Sequence, residues 1–93
     1  MDVKNKHDDS KGTFYMEEGY KQIAVMYYLF SGPGKLIIAH TEVNEAYEGR
    51  GLGKQLIEAA VKYARENHLK ILPWCPYARK IFDIMTEYND VLF

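Results

Sequence analysis

Apolar residues follow two different patterns along this chain, and the change from one to the other falls near residue 51. Before that point come short segments rich in aromatic and β-branched residues, which are typical of strands. Residues that favour turns separate them, most clearly at Ser31-Gly32-Pro33-Gly34. The sequence therefore predicts four strands in a meander, at residues 3–7, 13–16, 22–30 and 35–43.

The second pattern is that of an amphipathic helix. From residue 51 to about Asn67, apolar residues recur every four positions and form one stripe, made by Leu52, Leu56, Ala60 and Ala64. Residues of alternating charge recur at the same spacing outside that stripe, at Lys54, Glu58, Lys62 and Glu66. We expect one helix face to cover the sheet and the other to carry ion pairs between neighbouring turns.

A short strand and a second helix are predicted after this helix. Residues 69–72 form the strand, and Pro73 and Pro76 interrupt regular structure. The second helix begins near Tyr77 and ends before Asn89, with one apolar face made by Ala78, Ile81, Phe82 and Met85. The order β-β-β-β-α-β-α predicts a single α/β (α+β) domain over residues 1–93, with helices packed on one mainly antiparallel sheet.

Composition and charge exclude several classes of protein. The chain has 47% apolar residues, so it is expected to fold, and its twelve basic and thirteen acidic residues leave a formal charge of -1. That balance argues against nucleic-acid and membrane partners. The single cysteine, Cys75, and the lack of an apolar targeting or spanning segment predict a cytoplasmic protein. The histidines and Cys75 do not have the spacing of zinc ligands, so no metal is expected.

Three glycines, Gly49, Gly51 and Gly53, lie between the fourth strand and the first helix. A turn of this kind exposes backbone N–H groups at the positive end of the helix dipole, and Arg50 and Lys54 add cations nearby. The G-x-G-x-G spacing matches neither the dinucleotide fingerprint nor the Walker loop. These residues alone leave two interpretations open, an anion site or a flexible corner between strand and helix.

The turn and the order of elements together resemble the GCN5-related N-acetyltransferase superfamily. In that superfamily the backbone amides of a turn written [QR]-x-x-G-x-[GA] hold the pyrophosphate of coenzyme A. Here the turn is Glu48-Gly49-Arg50-Gly51-Leu52-Gly53, and Glu48 stands where Gln or Arg is expected. A closer similarity, to the very small predicted acetyltransferases with a Cys-Pro motif, lies in HTEV at 40–43, EGRGLGKQLIEAAVKYAREN at 48–67 and ILPWCPYARKIF at 71–82.

The resemblance implies a cleft for acetyl-CoA or coenzyme A as co-substrate, beside the strand that ends at Val43. The residues that it places at the co-substrate are Glu42, Val43, Gly49, Arg50, Gly51, Leu52, Gly53 and Lys54. The main chain at positions 42 and 43 is implied to bond pantetheine and the thioester carbonyl. Tyr77 and Lys80, at the start of the last helix, lie near the other half of the cleft, where Arg79 and Lys80 either contact adenosine phosphates or face water.

Cys75 is the first candidate for the chemistry. It lies between two prolines at the expected start of the last helix, where the helix dipole and Arg79 or Lys80 favour a thiolate. In the small subfamily a cysteine at this position lies beside the coenzyme A sulfur, which implies an acyl acceptor or a proton donor. A single free cysteine is otherwise a small buried hydrophobe, and that interpretation stays open.

His40 is the second candidate. His40 and Glu42 are two residues apart on a predicted strand, so both point to the same face of the sheet. A histidine beside a carboxylate can remove a proton from an ammonium near neutral pH, so that the nitrogen attacks a thioester. A lone strand histidine is also a common structural residue.

The predicted function is transfer of acetyl from acetyl-CoA to a primary amine, either directly or through Cys75. The chain is shorter than typical members of the superfamily, so the acceptor pocket is expected to be open, for a large acceptor such as a protein amine, or to be completed by a partner subunit. It is expected to be a monomer or a weak homodimer. The alternative is a non-catalytic coenzyme A-binding or protein-interaction module. A base-stacking platform for RNA at Tyr27, Tyr28 and Phe30 is disfavoured by the near-zero net charge.

Overall fold

The computed structural model describes residues 2–93. Within them the elements follow the predicted order β-β-β-β-α-β-α. They are β1 (Lys4–His7), β2 (Lys11–Glu18), β3 (Lys21–Phe30), β4 (Lys35–Val43), α1 (Leu52–Glu66), β5 (Lys70–Pro73) and α2 (Pro76–Ile84). Two 3₁₀ helices are added, at Glu45–Tyr47 and Thr86–Val91.

The five strands form one sheet in the order β1-β2-β3-β4-β5. The first four are antiparallel neighbours joined by short turns. β5 returns beside β4 in the parallel direction, after a crossover through α1. The mainly antiparallel sheet with packed helices that the sequence predicted is confirmed.

The two faces of the sheet have different surroundings. Both helices contribute to one buried cluster with every second residue of the central strands, on a face that we call the helix side. The sheet residues of this cluster include Phe14, Met16, Met26, Tyr28, Leu36 and Ile38. On the opposite face, which we call the open side, Tyr27 and Leu29 remain 42% and 40% exposed. The helices therefore cover one face of the sheet and leave the other in contact with solvent.

The predicted boundaries differ from the structure where tertiary pairing adds residues. β2 was expected only over 13–16 but runs over Lys11–Glu18, because it pairs with β1 on one edge and with β3 on the other. α2 begins at Pro76, since proline at the first helical position lacks only an N–H that would be unpaired there. α2 ends at Ile84, so Met85 caps the helix instead of continuing it.

The ion pairs expected along α1 are not present among residues 2–93. Instead, Arg65 reaches across to the C-terminal segment, where its Nε and a terminal nitrogen donate to Asp90 at 2.9 and 2.8 Å. This contact holds the 3₁₀ helix Thr86–Val91 against α1, at the point where the sequence predicted only an exit. The Arg65 guanidinium also lowers the pKa of Asp90 from its ordinary value.

Candidate active site

β4 and β5 separate halfway along β4. Their pairing runs from Lys35 to Ile38, and the Ile38 carbonyl then accepts hydrogen bonds from the N–H groups of Trp74 (3.1 Å) and Cys75 (3.0 Å). Beyond that point, residues 39–43 of β4 pair with β3 alone in the described part of the chain. The separation leaves an unpaired strand edge, which is a place where another extended molecule can form backbone hydrogen bonds.

A β-bulge lies at the point of separation. Tyr27 of β3 pairs with His40, whereas the next residue, Tyr28, pairs with Ile38, so Ala39 is an extra residue in β4. A bulge of this kind bends the strand and changes which side chains face which side. After the bulge, the positions of β4 that face the helices are odd-numbered, whereas before it they are even-numbered.

A cleft of roughly 380 Å³ opens on the helix side, next to the separated half of β4. One wall is β4, and the other is the glycine turn with the start of α1. Its lining is Thr41, Val43, Tyr47, Glu48, Gly49, Gly51, Leu52, Gly53, Lys54 and Tyr77. The structure thus brings together at one cleft seven of the ten residues predicted to hold the co-substrate.

The glycine turn presents the start of α1 to this cleft. Gly51 has φ 76°, a left-handed conformation that favours glycine, and it precedes the helix without any side-chain cap. Gln55 is the first residue of α1 whose N–H reaches a backbone acceptor, the carbonyl of Gly51 at 3.1 Å, among the residues described. The preceding N–H groups of the first turn are therefore available to an anion, at the positive end of the helix dipole.

Gly53 lines the cleft, as predicted for a co-substrate residue, and it also has a role in helix packing. A Cβ at Gly53 would meet the Tyr77 ring, at 2.6 Å from its hydroxyl oxygen and 2.8 Å from its Cε2. Gly53 therefore lets α1 and α2 approach closely, and Tyr77 closes that end of the cleft. Burial, followed by the neighbouring Cys75, raises the pKa of the Tyr77 phenol above its usual value.

Arg50 is held by Tyr47, a residue that the sequence did not single out. The Arg50 guanidinium carbon lies 4.9 Å from the centre of the Tyr47 ring, within the range of a cation–π interaction. The Tyr47 hydroxyl in turn donates a hydrogen bond of 2.9 Å to Glu18 at the end of β2, and this bond raises the Tyr47 pKa. No motif joins positions 18, 47 and 50, so only the fold could show this contact.

The remaining charged candidates differ in position. Lys54 and Glu48 line the cleft, so the acidic residue that departs from the family turn lies at the site itself. Lys80 is exposed on α2, one helical turn beyond Tyr77, and does not line the cleft. Its contact with a bound co-substrate stays a prediction.

Cys75 lies behind the cleft wall. Its side chain is only 4% exposed and belongs to the buried cluster, and its Sγ donates to the Thr41 hydroxyl oxygen at 3.5 Å. Thr41 itself lines the cleft, so it stands between the thiol and the cavity. The sequence missed Thr41, although it lies in the quoted HTEV segment.

His40 and Glu42 share the open side, as their spacing predicted. His40 Nε2 lies 3.3 Å from a Glu42 carboxylate oxygen, and the two side chains are 59% and 61% exposed. The His40 ring also stacks on Tyr27, with centroids 6.1 Å apart and an interplanar angle of 20°. Cys75 and His40, the two catalytic candidates, therefore lie on opposite sides of the sheet.

The described part of the chain also bears on a metal site, a membrane-spanning helix and a stacking surface for RNA bases. No group of three or more metal-ligating side chains occurs there. None of the helices in residues 2–93 has the length and apolar character needed to cross a bilayer. Tyr27 and Tyr28 point to opposite faces, and Tyr28 is buried under the helices, so these rings do not form the base-stacking platform considered above.

The sequence matches a family model described as GCN5-related N-acetyl-transferase over residues 13–91, which is most of the chain. The chain belongs to the GCN5-related N-acetyltransferase family. Among curated relatives, Protein NATD1 of Mus musculus is 34% identical over 79 residues, covering 84% of this chain and 72% of the relative. Protein NATD1 of Danio rerio is 36% identical over 76 residues, covering 81% and 69%.

Solved structures of the family have the same fold. An NMR structure from Staphylococcus aureus, described as GCN5-like, is 32% identical with a TM-score of 0.76 and covers 97% of this chain and 87% of that one. The crystal structure of ribosomal-protein-alanine N-acetyltransferase from Brucella melitensis biovar Abortus 2308 superposes with a TM-score of 0.71 at 17% identity, covering 84% and 62%, which shows a shared fold. Family and fold together support acetyl transfer as the general activity.

Proposed function

We propose that this protein binds acetyl-CoA in the cleft beside β4 and transfers its acetyl group to a primary amine. One observation carries the proposal: the unpaired edge of β4 and the uncapped first turn of α1 form opposite walls of the same cleft. The first can bond the amides of pantetheine, and the second can bond a pyrophosphate. A site for pantetheine alone would need only the strand edge, and a site for a pyrophosphate alone would need only the helix start.

The residues of the cleft match the parts of acetyl-CoA in order. The N–H groups of the turn at 51–54 would hold the pyrophosphate, with Lys54 and Arg50 as nearby cations. The main chain of β4 at Glu42 and Val43 would align the pantetheine arm. When bound, acetyl-CoA supplies an activated thioester carbonyl, which this arrangement would direct toward the gap between β4 and β5.

The side chains around the gap supply the proton transfers that aminolysis of a thioester requires. The attacking amine must lose a proton, and His40, with Glu42 beside it, is the exposed base on the open side. The departing sulfur must gain a proton, and the hydroxyls of Thr41 and Tyr77 line the cleft. Because the Cys75 thiol donates to the Thr41 oxygen, the Thr41 O–H is free to donate toward the cleft.

Direct attack by the amine is favoured over an acyl-cysteine route. A nucleophilic thiol must reach the thioester carbonyl, whereas Cys75 is buried behind Thr41. We expect Cys75→Ala to retain turnover and the wild-type protein to show no stable acetyl adduct by intact mass after exposure to acetyl-CoA. An adduct that disappears in Cys75→Ala would establish the covalent route instead.

Binding to the turn can be tested with two matched glycine variants. Gly51 and Gly32 both have positive φ and open space where a Cβ would lie, so alanine at either position costs about 1–2 kcal/mol of stability. Only Gly51 lines the cleft. Calorimetry should show that Gly51→Ala weakens coenzyme A binding, that Gly32→Ala does not, and that pantetheine binds more weakly than coenzyme A. No binding of coenzyme A at millimolar concentration would overturn the proposal.

A non-catalytic module with the same fold is the second candidate. The observation in its favour is that neither Cys75 nor His40 lines the cleft. This candidate predicts coenzyme A binding by calorimetry with no coenzyme A release from acetyl-CoA for any amine tested. Release that depends on an amine, and that is slower in His40→Gln than in the wild-type protein, would exclude it.

A further inference from the structure

A second and larger cavity lies on the open side, away from the cleft proposed for acetyl-CoA. It is a shallow pocket of about 560 Å³, and it shares no lining residue with that cleft. Its lining includes Lys6, Lys11, Thr13, Tyr27, Leu29 and Ala39. Nothing in the proposed binding of acetyl-CoA uses this pocket.

The pocket extends from β1 to Ala39 of β4, and the candidate base His40 is the next residue along that strand. Lys6 pairs with Thr13, Thr13 with Tyr27, and Tyr27 with His40, so these four residues form one row across the sheet. Directly paired residues point to the same face, and His40 stacks on Tyr27. Three strand spacings separate Lys6 from His40, a distance of about 14 Å.

Two lysines, Lys6 and Lys11, lie at the β1 end of the row. Neither Lys6 nor Lys11 has a carboxylate within 4.0 Å among residues 2–93. The Asp8 carboxylate also lines the pocket, but its Oδ1 is engaged in its own turn, where it accepts from the Ser10 N–H, the Ser10 hydroxyl and the Lys11 N–H at 2.7, 3.0 and 2.9 Å. Lys6 Nζ lies 5.5 Å from the centre of the Tyr15 ring, a contact that leaves its charge in place. Two lysines against one carboxylate leave this end with a net positive charge that can attract an anion from outside the chain.

The other end of the row, at His40, favours a ligand group of the opposite charge. Glu42 lies beside His40, so this end favours a group that carries a positive charge, such as an ammonium. Between the two ends, the exposed surfaces of Tyr27 and Leu29 offer an apolar floor. The pocket, together with the His40–Glu42 pair that adjoins it through Tyr27, is thus complementary to a molecule with an amine at one end, a carboxylate at the other and an apolar middle.

We propose that the open-side pocket binds the acyl acceptor, and that this acceptor is an acidic peptide whose primary amine lies about 10 Å from a carboxylate. The inference rests on the proposed function. A peptide fits because an extended chain rises about 3.4 Å per residue, so four residues span the row from His40 toward Lys6. Its amine would then lie at the gap between β4 and β5, across the sheet from the thioester.

The transfer balances with the groups at hand. The peptide ammonium gives one proton to His40, and its nitrogen forms the new bond to the acetyl carbon. The bond from that carbon to the coenzyme A sulfur breaks with its electron pair, and the sulfur takes a proton from a hydroxyl of the cleft or from water. The nitrogen releases its second proton as it becomes the amide, and this proton replaces, through solvent, the one that the sulfur took. The products are an acetylated peptide and free coenzyme A.

The test compares two peptides that differ in one group, Ser-Leu-Tyr-Glu-amide and Ser-Leu-Tyr-Gln-amide. We expect kcat/KM to be about fivefold higher for the acidic peptide, since each exposed ion pair contributes modestly, and the preference to shrink at high salt. The double variant Lys6→Gln/Lys11→Gln should bring the ratio of the two peptides close to one. Lys62→Gln on the outer face of α1 is the matched control and should keep the preference.

A binding measurement separates this inference from the proposed function. Chemical-shift mapping with Ser-Leu-Tyr-Glu-amide should perturb the amides of Thr13, Tyr27 and Ala39 in the protein without acetyl-CoA. Perturbations elsewhere, or equal rates for the two peptides, would overturn the inference while coenzyme A binding still upheld the acetyltransferase. Failure of coenzyme A binding would overturn the proposed function itself.

Two further results decide the identity of the occupant. The peptides Lys-Leu-Glu-amide and Lys-Leu-Gln-amide, both acetylated at the N-terminus, offer a lysine ε-amine and no α-amine. Faster acetylation of the glutamate peptide than of its glutamine counterpart, in this pair or in the serine pair, supports the proposed pocket. A stable dimer in sedimentation velocity, dispersed by Tyr27→Lys, would show that a second copy covers the open side, and the proposal would then be wrong.

Discussion

The two sides of the sheet use neighbouring residues of the same strands for different purposes. On the helix side, Met26 and Tyr28 of β3 are almost completely buried against α1 and α2. On the open side, Tyr27 and Leu29 of the same strand keep about two fifths of their surface in solvent. The helix side stabilises the fold and carries the cleft that we propose for acetyl-CoA, whereas the open side presents a charged and aromatic surface with little packing above it.

The two sides of the sheet meet along β4. Before the bulge at Ala39 the edge of β4 is paired with β5, so the sheet is continuous there. After the bulge the edge is unpaired, so Thr41 faces the cleft and His40 faces the open side at the same gap. A reaction between groups on opposite sides becomes possible only there.

The largest expected difference between the sides is in stability. Met26→Ala removes a side chain with 0% exposure and should lower the free energy of unfolding by about 2–5 kcal/mol. The neighbouring Tyr27→Ala removes a larger side chain from the open side but should cost only about 0.5 kcal/mol. Urea unfolding measures both variants, and equal losses would mean that the open side is covered in solution.

A smaller effect is expected at alkaline pH. Burial, with a contribution from Tyr63, raises the pKa of Tyr28 from 10.0 to about 12, and its hydroxyl donates to Asn5 at 2.6 Å. The unfolded chain loses this proton first, so the contribution of Tyr28 to stability should be constant below pH 10 and fall between pH 10 and 12. The loss totals about 2–3 kcal/mol. In Tyr28→Phe, the free energy of unfolding measured with urea should change less between pH 10 and 12 than in the parent. An unchanged pH dependence would mean that another group causes the loss.

The contact between α1 and α2 gives the third prediction. Gly53→Ala places a Cβ against the Tyr77 ring and should cost about 1–3 kcal/mol, because the ring must move. It should also weaken coenzyme A binding by calorimetry. Adding Tyr77→Ala should recover part of the stability but not the binding. If the single variant is as stable as the parent, the two helices approach less closely than the structure indicates.

The smallest effect concerns Arg50 and its support. Tyr47→Ala removes the ring beneath the Arg50 guanidinium and should weaken coenzyme A binding by about 0.5–1 kcal/mol, the size of an exposed cation–π interaction. Tyr47→Phe keeps the ring and loses only the hydrogen bond to Glu18, so it should stay close to the parent. A larger loss in Tyr47→Phe than in Tyr47→Ala would show that the hydroxyl, and not the ring, acts at the site.

Several features of the site follow from local patterns in the sequence. The glycine turn before an amphipathic helix indicated a helix start with exposed backbone N–H groups, and the structure has a start without a side-chain cap at Gly51. The spacing of His40 and Glu42 placed both on one face, since strand residues alternate. These predictions succeeded because each depends on neighbours in sequence.

The features that were missed join distant parts of the chain. Tyr47 contacts Glu18 across 29 positions, Cys75 contacts Thr41 across 34, and Tyr77 fills the space above Gly53. No local pattern encodes such contacts, because they depend on how strands and helices pack. For the same reason the sequence could not show that Cys75 lies behind a hydroxyl.

By itself, the sequence determined the order of elements, the apolar stripe of α1 and the turn that resembles a coenzyme A loop. These depend on residue periodicity and on the backbone freedom of glycine, which act within a few residues. The tertiary structure alone decided where β4 leaves β5, which side of the sheet each candidate residue faces and which surface stays open. One extra residue in β4, Ala39, changes the facing of the residues that follow it, and its effect exists only relative to the strands on either side.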